Sequence, residues 1–303
     1  MTNTASSSDN LPDWNMLLGN RQADADPAPD LIDEGLLLTG NDRGNNLTGS
    51  WRNDTIYGQG GNDVIDGGDG DDFIDGGTGN DRLYGGVGND RIYGGDGNDI
   101  IGPGEGRDYI DGGSGVDTLD WSKVSSYIKS VNLGSGFAIH DTGEDRFTSI
   151  EDYIGGGGSD YVIGSDVGNV ITGGWGDDYL DGLGGNDRLD GGQGSDTYNW
   201  SRGGGNDVIV EQGAGLDRLI LGEGISRSDV SVSYSGSDML LGIKGESRSA
   251  IKIVNYRAGG IEEVRFADGS TLILGTWLTS SGYQAFISAN GSAGSTSPFS
   301  AKS

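Results

Sequence analysis

The sequence predicts an all-β protein: two parallel β-rolls of nine-residue repeats joined by a strand/hairpin segment, then a small C-terminal β domain. Three observations lead there. Glycine supplies 61 of the 303 residues while only 33% are hydrophobic, where an ordinary domain has about 7% glycine and roughly 45–50% apolar residues. The chain keeps a period of nine over long stretches, the mark of a stacked repeat array. Finally, 47 Asp and Glu stand against 19 Lys and Arg, a formal net charge of -28, and the acids recur at one place in the period.

Residues 1–39 are polar and unpatterned, with DADPAPD at 24–30, and read as a flexible lead-in. Units of nine then fill 40–120 without an insertion, from GNDRGNNLT (40–48) to GGSGVDTLD (112–120). A glycine-rich linker would not hold Asp at position six and an aliphatic residue at position eight throughout. Residues 121–154 break the period; their alternating polar and apolar residues read as a strand/hairpin connector. The period resumes over 155–220, regular from GGGGSDYVI (155–163) to GGQGSDTYN (191–199), then slightly out of phase in RGGGNDVIV (202–210) and QGAGLDRLI (212–220). Residues 221–274 lose glycine and read as a β-rich C-terminal domain, with S-G-S-D and A-D-G-S as turn signals. Residues 275–303 are Ser/Ala/Gly-rich and read as a tail.

The unit is G-G-x-G-x-D-x-U-x, where U is aliphatic. Glycine permits φ > 0 and close backbone approach, which turns carbonyl oxygens inward over positions one to six. Position six adds a carboxylate, and positions seven to nine form a three-residue strand whose central aliphatic points inside. Carboxylates mixed with backbone carbonyls make the oxygen shell of Ca²⁺, six to eight ligands at about 2.3–2.6 Å. One unit makes half a coil, so units two apart stack on the same edge, about 4.8 Å apart. Asp63, Asp81, Asp99 and Asp117 then line one edge of the first roll, and Asp54, Asp72, Asp90 and Asp108 the other. In the second roll Asp160, Asp178 and Asp196 share an edge with Asp187 opposite, and Asp207 and Asp217 extend the set into the looser units. Each ion is expected between stacked turns. Asn45 and Asn169 replace the acid at position six, so their edges are expected to be caps or weak sites.

The interior of the first roll is expected to hold Leu47, Ile56, Ile65, Ile74, Leu83, Ile92, Ile101, Ile110 and Leu119. One buried aliphatic per nine ordered residues is a thin core against the entropy of ordering the chain. Residues 40–120 also carry 16 Asp and one Glu against five Arg, a net of -12. Such stacked carboxylates repel until cations join them, and binding then becomes folding.

These units resemble the repeats-in-toxin (haemolysin-type) calcium-binding repeat family over residues 40–220. LDRLILGEGISRSDVSVSYSGSDMLLGIKG and IEEVRFADGSTLIL, within 216–274, resemble the haemolysin-type calcium-binding related domain that follows such repeats. The resemblance implies several Ca²⁺ ions and folding outside the cell, where calcium modules work at about 10⁻⁴–10⁻³ M. It also implies export by type I secretion machinery through an uncleaved C-terminal signal, expected in 275–303. The start of the chain has no basic n-region and no apolar run long enough for a signal peptide. Nor does any stretch approach the roughly 18 apolar residues of a membrane span. The expected location is therefore extracellular, without a transmembrane segment. Nucleic acid is excluded as a partner because the acidic chain cannot neutralise phosphates, and without Cys there is no disulfide framework.

Many members of that family carry a catalytic domain ahead of the repeats; here 39 residues precede them. His140 is the sole histidine, which excludes H-E-x-x-H, and no G-x-S-x-G occurs. His140 reads as a surface hairpin residue, and the chain is expected not to be an enzyme. Trp51 and Trp175, at position three, face outward either as a platform for sugar or as turn aromatics covering a neighbouring coil. Tyr84, Tyr93, Asp66 and Asp75, at position nine, are expected on one sheet face. Three readings stay open: a secreted calcium-binding protein of matrix, adhesion or host contact; a polysaccharide-binding module resembling those of alginate epimerases; and a membrane-active effector. No amphipathic segment supports the third.

Overall fold

The computed structural model describes residues 35–123, 128–211, 215–246, 250–254, 260–279 and 282–289. Most of the expected lead-in, 1–34, lies outside them. The chain divides into two compact units, one reaching Asp120 and including Thr142–Ile150, the other comprising Trp121–Asp141 and the chain from Glu151 onward.

The first unit is a parallel β-roll. Its strands are β1 (Leu37–Asn41), β2 (Asn46–Thr48), β3 (Thr55–Gln59), β4 (Val64–Asp69) and β5 (Phe73–Thr78). They continue as β6 (Arg82–Val87), β7 (Arg91–Asp96), β8 (Ile100–Glu105), β9 (Tyr109–Ser114) and β10 (Thr118–Asp120). Odd strands form one parallel sheet and even strands the other, because each unit carries the chain across to the opposite side. Neighbours are offset by two units: Ile56, Ile74, Ile92 and Ile110 align in one sheet, and Ile65, Leu83, Ile101 and Leu119 in the other. All eight are fully buried. Leu47, expected inside with them, is only half-buried, because β2 is the terminal strand of its sheet.

The strands are longer than the three residues expected. β6, for example, runs from position seven through position three of the next unit, since its glycines also join the ladder, Gly68 beside Gly86 and Gly86 beside Gly104. The turn is then confined to few residues and needs left-handed backbone at positions two and four, as at Gly77 (φ 98°) and Gly79 (φ 131°). Gln59 and Leu183 take φ 77° and 65° at position two without being glycine, a conformation that costs a side-chain-bearing residue energy. Tyr84 and Asp66 pair in the even sheet and Tyr93 and Asp75 in the odd one. They therefore occupy two sheets rather than one face, since consecutive units alternate sides.

The second unit begins with the antiparallel pair β11 (Ile128–Asn132) and β12 (Phe137–His140). His140 is not a surface residue: it is buried, its ring 4.8 Å from that of Trp121. The next strand, β13 (Glu144–Thr148), belongs to the first unit and adds beside β9, with Phe147 next to Ile110. The second roll follows as β14 (Asp152–Ile154), β15 (Tyr161–Ser165), β16 (Val170–Trp175) and β17 (Tyr179–Leu183). It continues through β18 (Arg188–Gln193), β19 (Thr197–Trp200), β20 (Asp207–Val210) and β21 (Arg218–Leu221). After a 3₁₀ turn at Arg227–Asp229 come β22 (Val230–Ser235), β23 (Asp238–Ile243), β24 (Ala250–Val254), β25 (Glu263–Phe266), β26 (Thr271–Thr279) and β27 (Gly282–Ala289). β24 adds in parallel to β20 and β25 to β21, so each sheet gains one more rung before turning antiparallel at β23–β22 and β26–β27. Strand pairing thus reaches into the segment read as tail, with Leu272 opposite Ala289.

A Cβ on Gly86 (φ 111°) would run into the Gly68 carbonyl oxygen, whereas Val87 beside it is half exposed. Gly86→Ala is therefore expected to destabilise the chain in millimolar Ca²⁺ by at least ~1–3 kcal/mol, and Val87→Ala by no more than about 0.5 kcal/mol. Urea unfolding of the two variants under one set of conditions measures this; equal midpoints would show that the turn does not need its glycine.

Candidate metal centre

The acid at position six is built into the backbone ladder. In one column Oδ1 of Asp72, Asp90 and Asp108 accepts the N–H of Asp54, Asp72 and Asp90 at 2.7–2.8 Å. In the other, Asp81, Asp99 and Asp117 accept from Asp63, Asp81 and Asp99 at 2.7–2.8 Å. The second unit repeats the arrangement: Asp178 accepts from Asp160, Asp196 from Asp178 and Asp217 from Asp196, each at 2.8 Å. Asp187 accepts from Asn169 at 2.8 Å and Asp207 from Asp187 at 3.0 Å. Every one of these aspartates is at most 4% exposed.

The other carboxylate oxygen has a different environment. Oδ2 of Asp63, Asp72, Asp81, Asp90, Asp99, Asp108, Asp178, Asp187 and Asp196 is buried and accepts no hydrogen bond from the protein. In all of these but Asp108, whose unit begins with Pro103, it faces the position-one glycine of its own unit. A Cβ built on Gly76 would stand 2.5 Å from Asp81 Oδ2 and 2.6 Å from the Gly94 carbonyl oxygen of the next coil. The same pair of oxygens crowds Gly58, Gly67 and Gly94. At these four positions a carboxylate oxygen and a carbonyl oxygen converge where a side chain would stand, which accounts for the glycine.

Burial out of water, the largest cause, pushes these carboxyls up. Asp72, Asp99, Asp207 and Asp217 rise to about 6, Asp90, Asp160, Asp178, Asp187 and Asp196 to about 7, and Asp108 to about 8. Stacked acids add to the rise in most of them, Asp145 strongly so at Asp108, while backbone N–H donors pull most of them back down. Buried, mutually repelling oxygens of carboxylate and carbonyl type form a donor set for a hard divalent cation, and Ca²⁺ suits it. The position-six aspartates and position-one carbonyls would hold it, and its charge would offset both the desolvation and the repulsion.

The two columns contain the aspartates expected in each. The structure also brings in residues that the repeat pattern missed. Asp145 Oδ1 accepts the Asp108 N–H at 2.9 Å, and Glu262 Oε2 accepts the Asp217 N–H at 2.8 Å, each extending a column by one rung. Both stand two residues before a buried apolar residue, Phe147 and Val264, which is the acid-x-apolar core of the repeat without its glycines. Position five forms a second, exposed ladder running the opposite way. There the N–H of Asn80 donates to Asn62 Oδ1 at 2.9 Å and that of Asn98 to Asn80 Oδ1 at 2.8 Å. Asn45 and Asn169 sit at ladder ends, where the side-chain oxygens accept from Asn41 (2.7 Å) and Ser165 (2.8 Å) within their own turns.

Two outcomes follow from this geometry. A carboxyl held at about 7 when folded, against an ordinary 3.8, takes up a proton on folding between those values. Without metal the roll is therefore stabilised as pH falls through about 7, and loses that contribution as pH rises. Calcium needs the ionised form, so its midpoint should move to higher concentration between pH 8 and pH 5.5; circular dichroism titrations giving one midpoint at both would contradict this. Asp90→Asn keeps an oxygen for the Asp72 N–H but loses the charge, so it should fold in calcium with a raised midpoint. Asp90→Ala, losing both, should be worse; equal midpoints for the two would mean that the ladder bond contributes nothing.

The family model of the RTX calcium-binding nonapeptide repeat, in four copies, matches residues 39–74, 48–83, 66–101, 75–110, 104–120, 154–189 and 163–198. No curated protein matches the chain. Among solved structures, the crystal structure of extracellular lipase LipA from Serratia marcescens aligns at 18% identity and a TM-score of 0.23, covering 64% of this chain and 38% of that one. The chain thus spans well under half of that lipase, a likeness too low to bear on fold or activity. Residues 39–120 and 154–198, whose aspartates stack into columns, are RTX calcium-binding nonapeptide repeats, and the chain carries a calcium-binding β-roll built on them.

Proposed function

We propose that this is a non-catalytic extracellular protein that folds on meeting Ca²⁺ outside the cell and there makes contacts in matrix, adhesion or host attachment. The observation that carries it is the column of buried carboxylate oxygens without a protein partner. Such a column is unfavourable alone and favourable with cations, so the folded form belongs where calcium reaches about 10⁻⁴–10⁻³ M. Among the described residues no helix is long and apolar enough to cross a membrane.

A row of aromatic rings on the first unit supports polysaccharide as a contact. Tyr57, Phe73, Tyr93 and Tyr109 follow one another along the odd sheet at centroid spacings of 5.7, 5.5 and 6.1 Å. In the second unit Tyr161 and Tyr179 stack at 4.5 Å. Trp51 and Trp175 are 54% and 71% exposed, and Arg52 lies over the Trp51 ring. Flat aromatic faces with polar neighbours take up ring-shaped partners that are apolar on one face.

In chelator the purified chain should show little ordered β-structure, and gain it cooperatively with millimolar Ca²⁺ but poorly with Mg²⁺, whose smaller octahedral shell this donor set does not match. Identical circular dichroism spectra in chelator and calcium would refute the folding switch. Calorimetry against acidic and neutral glycans in calcium then separates the polysaccharide reading from protein contact. For export, deletion of 290–303 spares β27. Co-expressed with a type I exporter, the shortened chain should stay in the cell pellet; its arrival in the medium at full yield would place the signal elsewhere.

A further inference from the structure

A third acid enters the metal column at the far end of the second roll. Asp196, Glu211 and Asp217 each place a carboxylate oxygen within 4.8 Å of the other two, and they are 0%, 3% and 2% exposed. Asp196 and Asp217 are successive column members, but Glu211 lies outside the repeat period. It is the single residue inserted between RGGGNDVIV (202–210) and QGAGLDRLI (212–220), and the only buried glutamate among the described residues. Two further features single the place out. Asp196 Oδ2, fully buried, accepts no hydrogen bond from the protein. At core position eight of the same unit Tyr198 replaces the aliphatic residue; its hydroxyl donates to Glu211 Oε2 at 2.6 Å and accepts the Gly191 N–H at 2.7 Å. Gly191 is the position-one glycine that faces Asp196 Oδ2. Glutamate, phenol and aspartate thus converge on one position-one cradle.

We infer that Asp196, Glu211 and Asp217 form a calcium site of their own class, with three carboxylates where successive column members supply two, and with Tyr198 as the residue that positions Glu211. The inference rests on the calcium-binding role of the repeats. Affinity of oxygen sites rises with the number of charged ligands, and that number is greater here. This site should fill at about a tenth of the calcium that the repeat sites require.

The test is equilibrium dialysis of the full chain with radioactive calcium, from chelator-buffered micromolar to millimolar free ion. The wild type should show one tight ion ahead of a weaker, cooperative class. Glu211→Gln should remove the tight ion and leave the weaker class in place. Tyr198→Phe, which keeps the ring in the core, should weaken the tight ion severalfold without lowering the total bound. Asp81→Asn, in the first unit, should leave the tight ion alone. A single uniform class in the wild type overturns the inference while leaving calcium binding by the repeats intact; no bound calcium at all overturns the underlying reading as well. A tight ion that survives Glu211→Gln also overturns it. Should Glu211→Gln fail to fold, Tyr198→Phe decides, and an unchanged tight ion in that variant overturns the assignment.

Discussion

The carboxylate at position six does two things at once, and most of the molecule is arranged around them. One oxygen accepts the N–H of the preceding rung's aspartate, which locks the coil spacing; the other is held out of water opposite a carbonyl oxygen. A buried acid with half its oxygens unsatisfied is costly in isolation. The hydrogen bond therefore places the charge, and the charge demands a cation. Glycine at position one of the regular units, such as Gly58, Gly67, Gly76 and Gly94, follows, because a Cβ there would fill the space in which the two oxygens meet. So does the strongly acidic composition, since each rung repeats the same demand.

A single column of aliphatic residues per sheet is a thin core, and the rungs are also tied at their edges, where cations complete the acidic column. The acidic ladder runs in one direction on the buried side of the turn and the position-five amide ladder runs in the other on the exposed side. Each rung touches chiefly the rungs above and below, so stability accumulates by neighbour pairs as in other solenoids. This explains why the array tolerates Gln59 and Leu183 in left-handed backbone: the rungs on either side hold the turn in place.

The ends of such arrays need different chemistry, and here tyrosine and the longer acid supply it. Tyr153 donates to Asp160 at 3.0 Å at the start of the second roll, and Tyr198 meets Glu211 near its end. In both cases a phenol in the core column carries a hydroxyl to the acids of the turn. Beyond Tyr198 and Glu211 the parallel rungs give way to antiparallel hairpins at β22–β23 and β26–β27.

Much of this was readable in advance, for one physical reason: a nine-residue period with glycine, acid and aliphatic at set places has only one way to stack. The parallel roll and the division of Asp63, Asp81, Asp99 and Asp117 from Asp54, Asp72, Asp90 and Asp108 follow from local spacing, while calcium as the ion came from the oxygen donors of the turn and the family resemblance. What lay outside the period was not readable. Asp145 and Glu262 enter the columns from segments without the glycine signature, and His140 is buried against Trp121 because strand pairing, not local composition, sets its depth. Glu211 is the clearest case. Its insertion shows in the sequence only as a slip of phase, whereas its convergence with Asp196 and Asp217 exists only once the coils are stacked. Local pattern determines which residues repeat; the tertiary fold alone decides which non-repeating residues come within reach of them.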